Sequence, residues 1–191
     1  KPVVGIMEIY GAGVQIIDMP AIESEYYDKG IVHTADTIIF LVENLWQINE
    51  LKKQIGNANA KEIIAFNKID VLSEADRRKI NATLASRKYN FSMISTATKE
   101  GIENLKEKIF KSFGKIRIYT KHPGKIVEKV SKPIIMEPES TVGEIAEKIL
   151  HGFSKKIKET KIWGPSSKFS GQKVGLKHEL KDLDIVEFKT K

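Results

Sequence analysis

Four short apolar runs, each closed by a polar residue, constrain the fold of residues 1–113 more than any other feature of the sequence. A polar loop and then a helical stretch follow each run. The runs and their closing residues are Val14–Ile17 with Asp18, Thr37–Val42 with Glu43, Glu62–Phe66 with Asn67, and Phe91–Ile94 with Ser95. Strands that alternate with helices predict an α/β fold with a doubly wound parallel sheet. The polar strand ends should then meet along one edge, where such sheets bind ligands.

The pattern changes after Gly114 and predicts a small α+β domain made of two strands, a helix and two further strands. Residues 116–120 alternate like a strand with one face open to solvent, and residues 133–136 are the expected partner. A capping box at Thr141 and Glu144 predicts the start of the helix. We expect this helix to bury Val142, Ile145, Ile149 and Phe153. The predicted domains are therefore residues 1–113 and 114–191.

The tetrapeptide Asn67-Lys68-Ile69-Asp70 has the chemistry needed to hold guanine. Guanine offers two adjacent donors, its ring N1–H and its exocyclic amine, which an ionised Asp70 can accept in a bidentate pair. Adenine cannot match this pattern. The methylene stem of Lys68 can lie along the base while its ammonium stays in water, and the amide of Asn67 can tie neighbouring loops together. The tetrapeptide resembles the base-reading motif of the P-loop GTPases.

Two further strand ends extend this resemblance. Asp18-Met19-Pro20-Ala21 resembles the GTPase motif Asp-X-X-Gly, which implies that Asp18 holds Mg²⁺ through a bound water and that the Ala21 amide faces the terminal phosphate. Alanine replaces the motif's glycine, and Ile22 follows where many GTPases have a water-orienting glutamine. Ser95-Thr96-Ala97 resembles the third guanine-side loop, whose backbone amides approach the guanine oxygen. GTP or GDP and Mg²⁺ are the ligands that the resemblance implies.

The phosphate loop Gly-X4-Gly-Lys-Ser/Thr occurs nowhere in the 191 residues, so the chain lacks the amide cradle and lysine that hold the phosphates. Residues 1–18 nevertheless resemble the stretch before the magnesium aspartate in the Obg-related GTPases. Residues 141–186 resemble the TGS domain, a ubiquitin-like β-grasp module found behind the G domain in the developmentally regulated GTP-binding (DRG) proteins. We therefore expect the rear part of a longer GTPase, and we expect these residues alone to be inactive.

Charge separates the two halves of the chain. The net charge of +7 arises entirely in residues 114–191, which hold seventeen basic and ten acidic side chains, whereas residues 1–113 hold fifteen of each. Such an excess favours a polyanion partner such as structured RNA or the ribosome, and the best candidates to face it are Lys155, Lys156, Lys158 and Lys161. A lysine-rich surface that is merely soluble is the alternative. No cysteine and no apolar run of membrane-spanning length is present, which favours a cytoplasmic protein without a membrane partner.

The resemblance implies a GTP-binding and GTP-hydrolysing factor associated with translation, whose TGS domain docks on RNA or on a partner protein. Ala21 and Ile22 favour a different hypothesis, in which a degenerate G domain and the TGS domain form a scaffold that does not hydrolyse GTP. A third hypothesis, an RNA-binding protein independent of nucleotide, rests on charge alone.

Overall fold

The structure, a computed structural model, describes residues 1–125 and 132–190. These residues divide into two compact units. Unit 1 contains Lys1–Ile9 and Val14–Phe113, and unit 2 contains the described residues of Tyr10–Gly13 and Gly114–Lys191.

A three-stranded parallel sheet in the order β3-β4-β5 forms the centre of unit 1. Its elements are α1 (Lys29–Thr34), β3 (Thr37–Val42), α2 (Leu45–Ile55), β4 (Lys61–Phe66), α3 (Glu74–Ser86), β5 (Phe91–Met93) and α4 (Ile102–Ser112). Phe40, Phe66, Ile48 and Leu84 belong to the buried core on one side of the sheet. Ser73 caps the start of α3, since its side chain accepts a hydrogen bond from the Asp76 amide. The predicted parallel α/β sheet is therefore present.

The run ending at Asp18 corrects one part of the prediction. It forms β2 (Ala12–Asp18), but β2 pairs with β1 (Val3–Ile9) in a separate two-stranded sheet rather than with the parallel strands. The local cause is the turn between them, where Tyr10 and Gly11 have φ values of 50° and 84°. Two successive positive φ angles are typical of the tight turn that closes a hairpin.

Unit 2 contains a five-stranded sheet in the order β7-β6-β10-β8-β9, in which only β6 and β10 are parallel among the described strands. Its elements are β6 (Ile116–Lys121), β7 (Ile134–Met136), α5 (Val142–Ile149), β8 (Ile157–Trp163), β9 (Gln172–Val174) and β10 (Ile185–Thr190). Val142 and Ile145 of α5 are fully buried against Ile118, Ile162 and Val186. This sheet and helix form the ubiquitin-like β-grasp fold that was expected.

Three details of unit 2 differ from expectation. The sequence did not predict β9, which has only three residues. Ile149 is 43% exposed because α5 ends at that residue, so the helix buries fewer side chains than its periodicity suggests.

The solvent face predicted for residues 116–120 is not fully open, since Arg117 is only 3% exposed. The predicted capping box of Thr141 and Glu144 is confirmed.

Among the described helices, none is both long enough and apolar enough to cross a membrane.

Candidate nucleotide site at the edge of the parallel sheet

Asn67 links the ends of two neighbouring strands. Its backbone amide donates to the Val42 carbonyl at 2.7 Å, which extends the pairing with β3. Its side-chain Oδ1 accepts the Thr96 N–H at 3.1 Å, and its Nδ2 lies 3.4 Å from the Thr96 Oγ1. Asn67 is 7% exposed, so these bonds satisfy an amide that would otherwise be costly to bury. The structure therefore brings together the two loops that the sequence assigned to the guanine side.

Lys68 adopts a left-handed backbone conformation, with φ of 61° and ψ of 34°. A non-glycine residue in this region carries strain and is often found at functional sites. A short 3-10 turn, Ile69–Val71, follows directly. Ile69 is 3% exposed and its N–H donates to the Ile94 carbonyl at 3.2 Å. The turn is thus anchored by a buried side chain while its neighbours Lys68 and Asp70 remain exposed.

Glu43 holds the ammonium of Lys68, with 2.9 Å between Glu43 Oε1 and Lys68 Nζ. The sequence analysis placed Glu43 at the end of β3 but did not connect it with Lys68. The signal was available, because an acid that closes one parallel strand lies near the residues that close the next. Both side chains remain substantially exposed, at 43% and 57%. The ion pair therefore orients Lys68 more than it stabilises the fold.

Asp70 is exposed at the same edge, and a hydrogen bond from the Ser95 side chain is the main cause that holds its pKa below the usual value. Its own backbone N–H and the nearby charges of Arg77 and Lys68 act in the same direction. Ser95 is fully buried, and its Oγ also accepts the Thr98 N–H at 3.0 Å. Asp70 is therefore an ionised and accessible carboxylate at neutral pH.

Thr96 and Ala97 lie exposed on the loop between β5 and α4. The Ser95 amide donates to the Glu100 carbonyl at 2.9 Å, and Arg77 of α3 donates to Glu100 at the same distance. These bonds fix the two ends of the loop and leave the tip accessible. The loop can thus present the Ala97 amide to a ligand without a large change in shape, while the Thr96 amide is held by Asn67.

Asp18 and Ala21 are not joined to this group by any hydrogen bond or ion pair that the described residues show. Both are exposed, and the Ala21 carbonyl is used in a turn, where it accepts the Ser24 N–H at 2.9 Å. Asp18 ends β2, which lies outside the parallel sheet. The expectation that the strand ending at Asp18 joins the parallel sheet is therefore wrong, whereas the magnesium role of Asp18 stays a prediction.

A magnesium ion would find limited protein ligation here. No cluster of three or more His, Cys, Asp or Glu that could hold a metal occurs in residues 1–125 and 132–190. Asp18 can supply one carboxylate, which fits contact through the ion's hydration shell but not a cage made of protein ligands.

Comparisons with known proteins agree with the resemblance. A model of the TGS domain matches residues 116–190. An uncharacterized GTP-binding protein, MJ1326, from Methanocaldococcus jannaschii is 32% identical over 81% of this chain and 39% of its own length. Human developmentally-regulated GTP-binding protein 2 is 29% identical over 65% of this chain and 33% of its own length. The chain therefore spans less than half the length of these relatives.

A solved GTP-binding protein from Pyrococcus horikoshii OT3 aligns with a TM-score of 0.47 and 18% identity, over 72% of this chain and 48% of that chain. This weak likeness carries no part of the assignment, which rests on the TGS match and on the sequence relatives. Residues 116–190 belong to the TGS domain family, and the chain as a whole is similar to GTP-binding proteins of the DRG type.

Proposed function

We propose that the edge formed by Asn67, Lys68, Asp70, Ser95 and Thr96 binds the base of a guanine nucleotide. The observation that carries this proposal is the link between the two loops, in which Asn67 Oδ1 accepts the Thr96 N–H and the Ile69 N–H donates to the Ile94 carbonyl. The carboxylate of Asp70 accepts guanine's two adjacent donors. The stem of Lys68 covers one side of the base, and the Ala97 amide approaches the guanine oxygen. The Thr96 amide, expected to do the same, is already donated to Asn67 Oδ1.

In the whole protein, we propose that the ligand is GTP or GDP with Mg²⁺, and that GTP is hydrolysed. Residues outside these 191 would hold the phosphates, since the phosphate-loop motif does not occur among them. Mg²⁺ supplies charge neutralisation at the phosphates. Asp18 would accept a hydrogen bond from one of the ion's water ligands, and the Ala21 amide would face the terminal phosphate.

The basic half, residues 114–191, supports a translation-associated role in the cytoplasm. We propose that this TGS domain binds structured RNA or the ribosome, because all of the net positive charge lies in it. Docking on a partner protein is the competing role for the same domain.

Replacing Asp70 with asparagine in the whole protein tests the base assignment. Asp70→Asn should weaken GTP binding about 30- to 1,000-fold, because guanine's donors lose their acceptor. Xanthosine triphosphate should become the preferred ligand, since its altered edge suits an amide. Asp76→Asn is the matched control, because Asp76 is also an exposed aspartate and bonds to Ser73 instead. Calorimetry that finds equal GTP and ATP binding by the unmutated protein would refute the proposal.

The competing function is a scaffold that does not hydrolyse GTP, which Ala21 and Ile22 favour. Alanine narrows the backbone choices at the phosphate-facing position, and isoleucine cannot orient an attacking water. Magnesium-dependent phosphate release by the whole protein, abolished in Asp18→Ala, supports the enzyme. GTP binding without phosphate release supports the scaffold.

A further inference from the structure

The sheet of unit 2 has a basic face on the side opposite its core. Side chains alternate between the two faces of a strand. Ile162 of β8, Val186 of β10 and Val174 of β9 face the core. Each of these core residues is separated by an odd number of positions from a lysine on its own strand, and an odd separation places the lysine on the other face. The lysines are Lys161 and Lys173, each one residue away, and Lys189, three residues away.

Strand register brings these three lysines together around one carboxylate. Lys161 is directly opposite Lys173, and Lys189 is directly opposite Glu159. Lys173 Nζ lies 2.7 Å from Glu159 Oε2, and Lys161 Nζ lies 3.7 Å from Glu159 Oε1. Hydrogen bonding to Lys173, followed by the charges of all three lysines, lowers the pKa of Glu159 against the effect of burial. The group thus carries three ammonium ions and one carboxylate.

Among the described residues, no further carboxylate on this face is free to neutralise the three lysines. The neighbouring Glu187 is 8% exposed and is already paired with Lys121. Two lysines placed directly opposite each other on adjacent strands repel and destabilise the sheet slightly. Lys173 is 69% exposed and Lys161 38% exposed, so an anion can reach both ammonium groups.

The alternative candidates lie elsewhere. Lys155 and Lys156 belong to a short 3-10 turn before β8. Lys158 is three residues before Lys161, so the two project from opposite faces of the same strand. The four lysines that the sequence analysis grouped together therefore do not form one surface.

Base stacking is also unfavourable on this face. The aromatic residue beside the lysines is Trp163, and the Lys121 ammonium lies 4.3 Å from its ring centroid. Gly171 approaches the same ring, since a Cβ built on it would lie 3.4 Å from Trp163 Cζ2. Recognition here would therefore depend on charge rather than on an exposed aromatic or apolar anchor.

We propose that Lys161, Lys173 and Lys189 bind the phosphate backbone of structured RNA, and that Glu159 is an internal carboxylate which phosphate displaces. The inference rests on the proposed RNA-binding function of residues 114–191 and specifies its site. A surface dominated by ammonium groups suits phosphates. A protein partner would need an apolar interface core, which this group of lysines does not offer.

The test is the salt dependence of binding of a fluorescein-labelled RNA hairpin to the 191-residue chain, followed by fluorescence anisotropy. Replacing Lys161, Lys173 and Lys189 together with glutamine should reduce the slope of log affinity against log salt by about 2–3, at roughly 0.7–0.9 per phosphate contact. The matched control replaces Lys155, Lys156 and Lys158 with glutamine, which removes the same charge and should change the slope little.

Glu159→Gln should change RNA affinity in the direction opposite to the lysine substitutions. It should tighten RNA binding about two- to fivefold, because the lysines lose their competing anion. Damage to the fold cannot produce such a gain. Glu137→Gln is the control for net charge, since Glu137 pairs with Lys115 instead, and it should leave affinity nearly unchanged.

Each outcome separates the inference from the function on which it rests. Absence of RNA binding by the unmutated chain at low salt would refute the RNA-binding function itself. RNA binding that is lost in the control triple variant but retained in the Lys161, Lys173 and Lys189 variant would refute only this site. Binding of poly-glutamate as tight as that of RNA would indicate an acidic protein partner and overturn the proposal. An equal gain in Glu159→Gln and Glu137→Gln would reduce Glu159 to a contributor of net charge and overturn its assigned role.

Discussion

Gly101 occupies a position in unit 1 where a side chain should be poorly tolerated. It precedes α4 with φ of 75° and ψ of −6°. A Cβ built on it would overlap the Met93 carbonyl oxygen and would lie 3.1 Å from the Met93 carbonyl carbon and 3.2 Å from Ile94 Cα. All three atoms belong to backbone at the end of β5 and cannot rotate away. Gly101→Ala should therefore push the end of β5 away from the start of α4.

The loss of stability in Gly101→Ala has two parts, the strain of a positive φ and the overlap with backbone. A matched glycine separates them. Gly152 has φ of 77° and ψ of 4°, and a Cβ built on it meets nothing within 4 Å. Gly152→Ala should thus lower the free energy of unfolding only by the strain of the left-handed conformation, about 1–2 kcal/mol. Gly101→Ala should lower the free energy of unfolding by the same amount and by about 1–3 kcal/mol more, because its Cβ overlaps backbone atoms.

Hydrogen exchange followed by mass spectrometry measures both variants within the intact chain. The opening free energy of β4 amides reports the effect of Gly101→Ala, and that of β8 amides reports the effect of Gly152→Ala. Losses that agree within about 0.5 kcal/mol would refute the reasoning, because they would show that the close approach to Met93 carries no cost beyond the positive φ.

Two further predictions concern charged groups. Ser95→Ala should raise the pKa of Asp70 toward its usual value, measured by carbon NMR of the carboxyl group; an unchanged pKa would show that Ser95 does not hold it. Asp182→Asn should destabilise unit 2 by about 1.5–3 kcal/mol, because buried Arg117 loses a charged partner at 2.6 Å. Burial raises the pKa of Asp182, but hydrogen bonds from Arg117 outweigh it and the net shift is downward. This stabilisation is therefore present above the unfolded-state pKa of Asp182 and is lost as pH falls through its lowered folded-state pKa. Urea denaturation in which the difference between Asp182→Asn and the unmutated chain stays constant at acid pH would contradict this.

Local sequence patterns predicted most of the fold because they depend on neighbouring residues. The apolar runs that became β3, β4 and β5 have near-continuous hydrophobicity, as buried parallel strands require. The capping box of Thr141 and Glu144 is likewise local. The pairing of β2 was not predicted, because an apolar run indicates that a strand exists but does not identify the strand with which it pairs. The exposure of Ile149 was missed for a related reason, because periodicity does not show where a helix ends.

The candidate base site was predictable to the level of residue type and strand end. The motif and its placement after β4 indicated Asn67, Lys68 and Asp70, and the structure joins their loops. The contact between Lys68 and Glu43 required the register of β3 against β4, which periodicity alone does not give. The division of the four lysines between faces required the start of β8 at Ile157.

The residues proposed to read the base are held by the protein itself before any nucleotide enters. Asn67 is fixed by Thr96 and Lys68 by Glu43, and the buried Ile69 anchors the turn that carries Asp70. Little side-chain ordering is then needed on binding, and the cost of ordering reduces the affinity of less organised sites. Asp70 is exposed, so its oxygens remain available to a ligand. Under the proposed function, base selection and phosphate affinity should respond to separate substitutions, because these residues carry the proposed base contacts and do not contain the phosphate-loop motif.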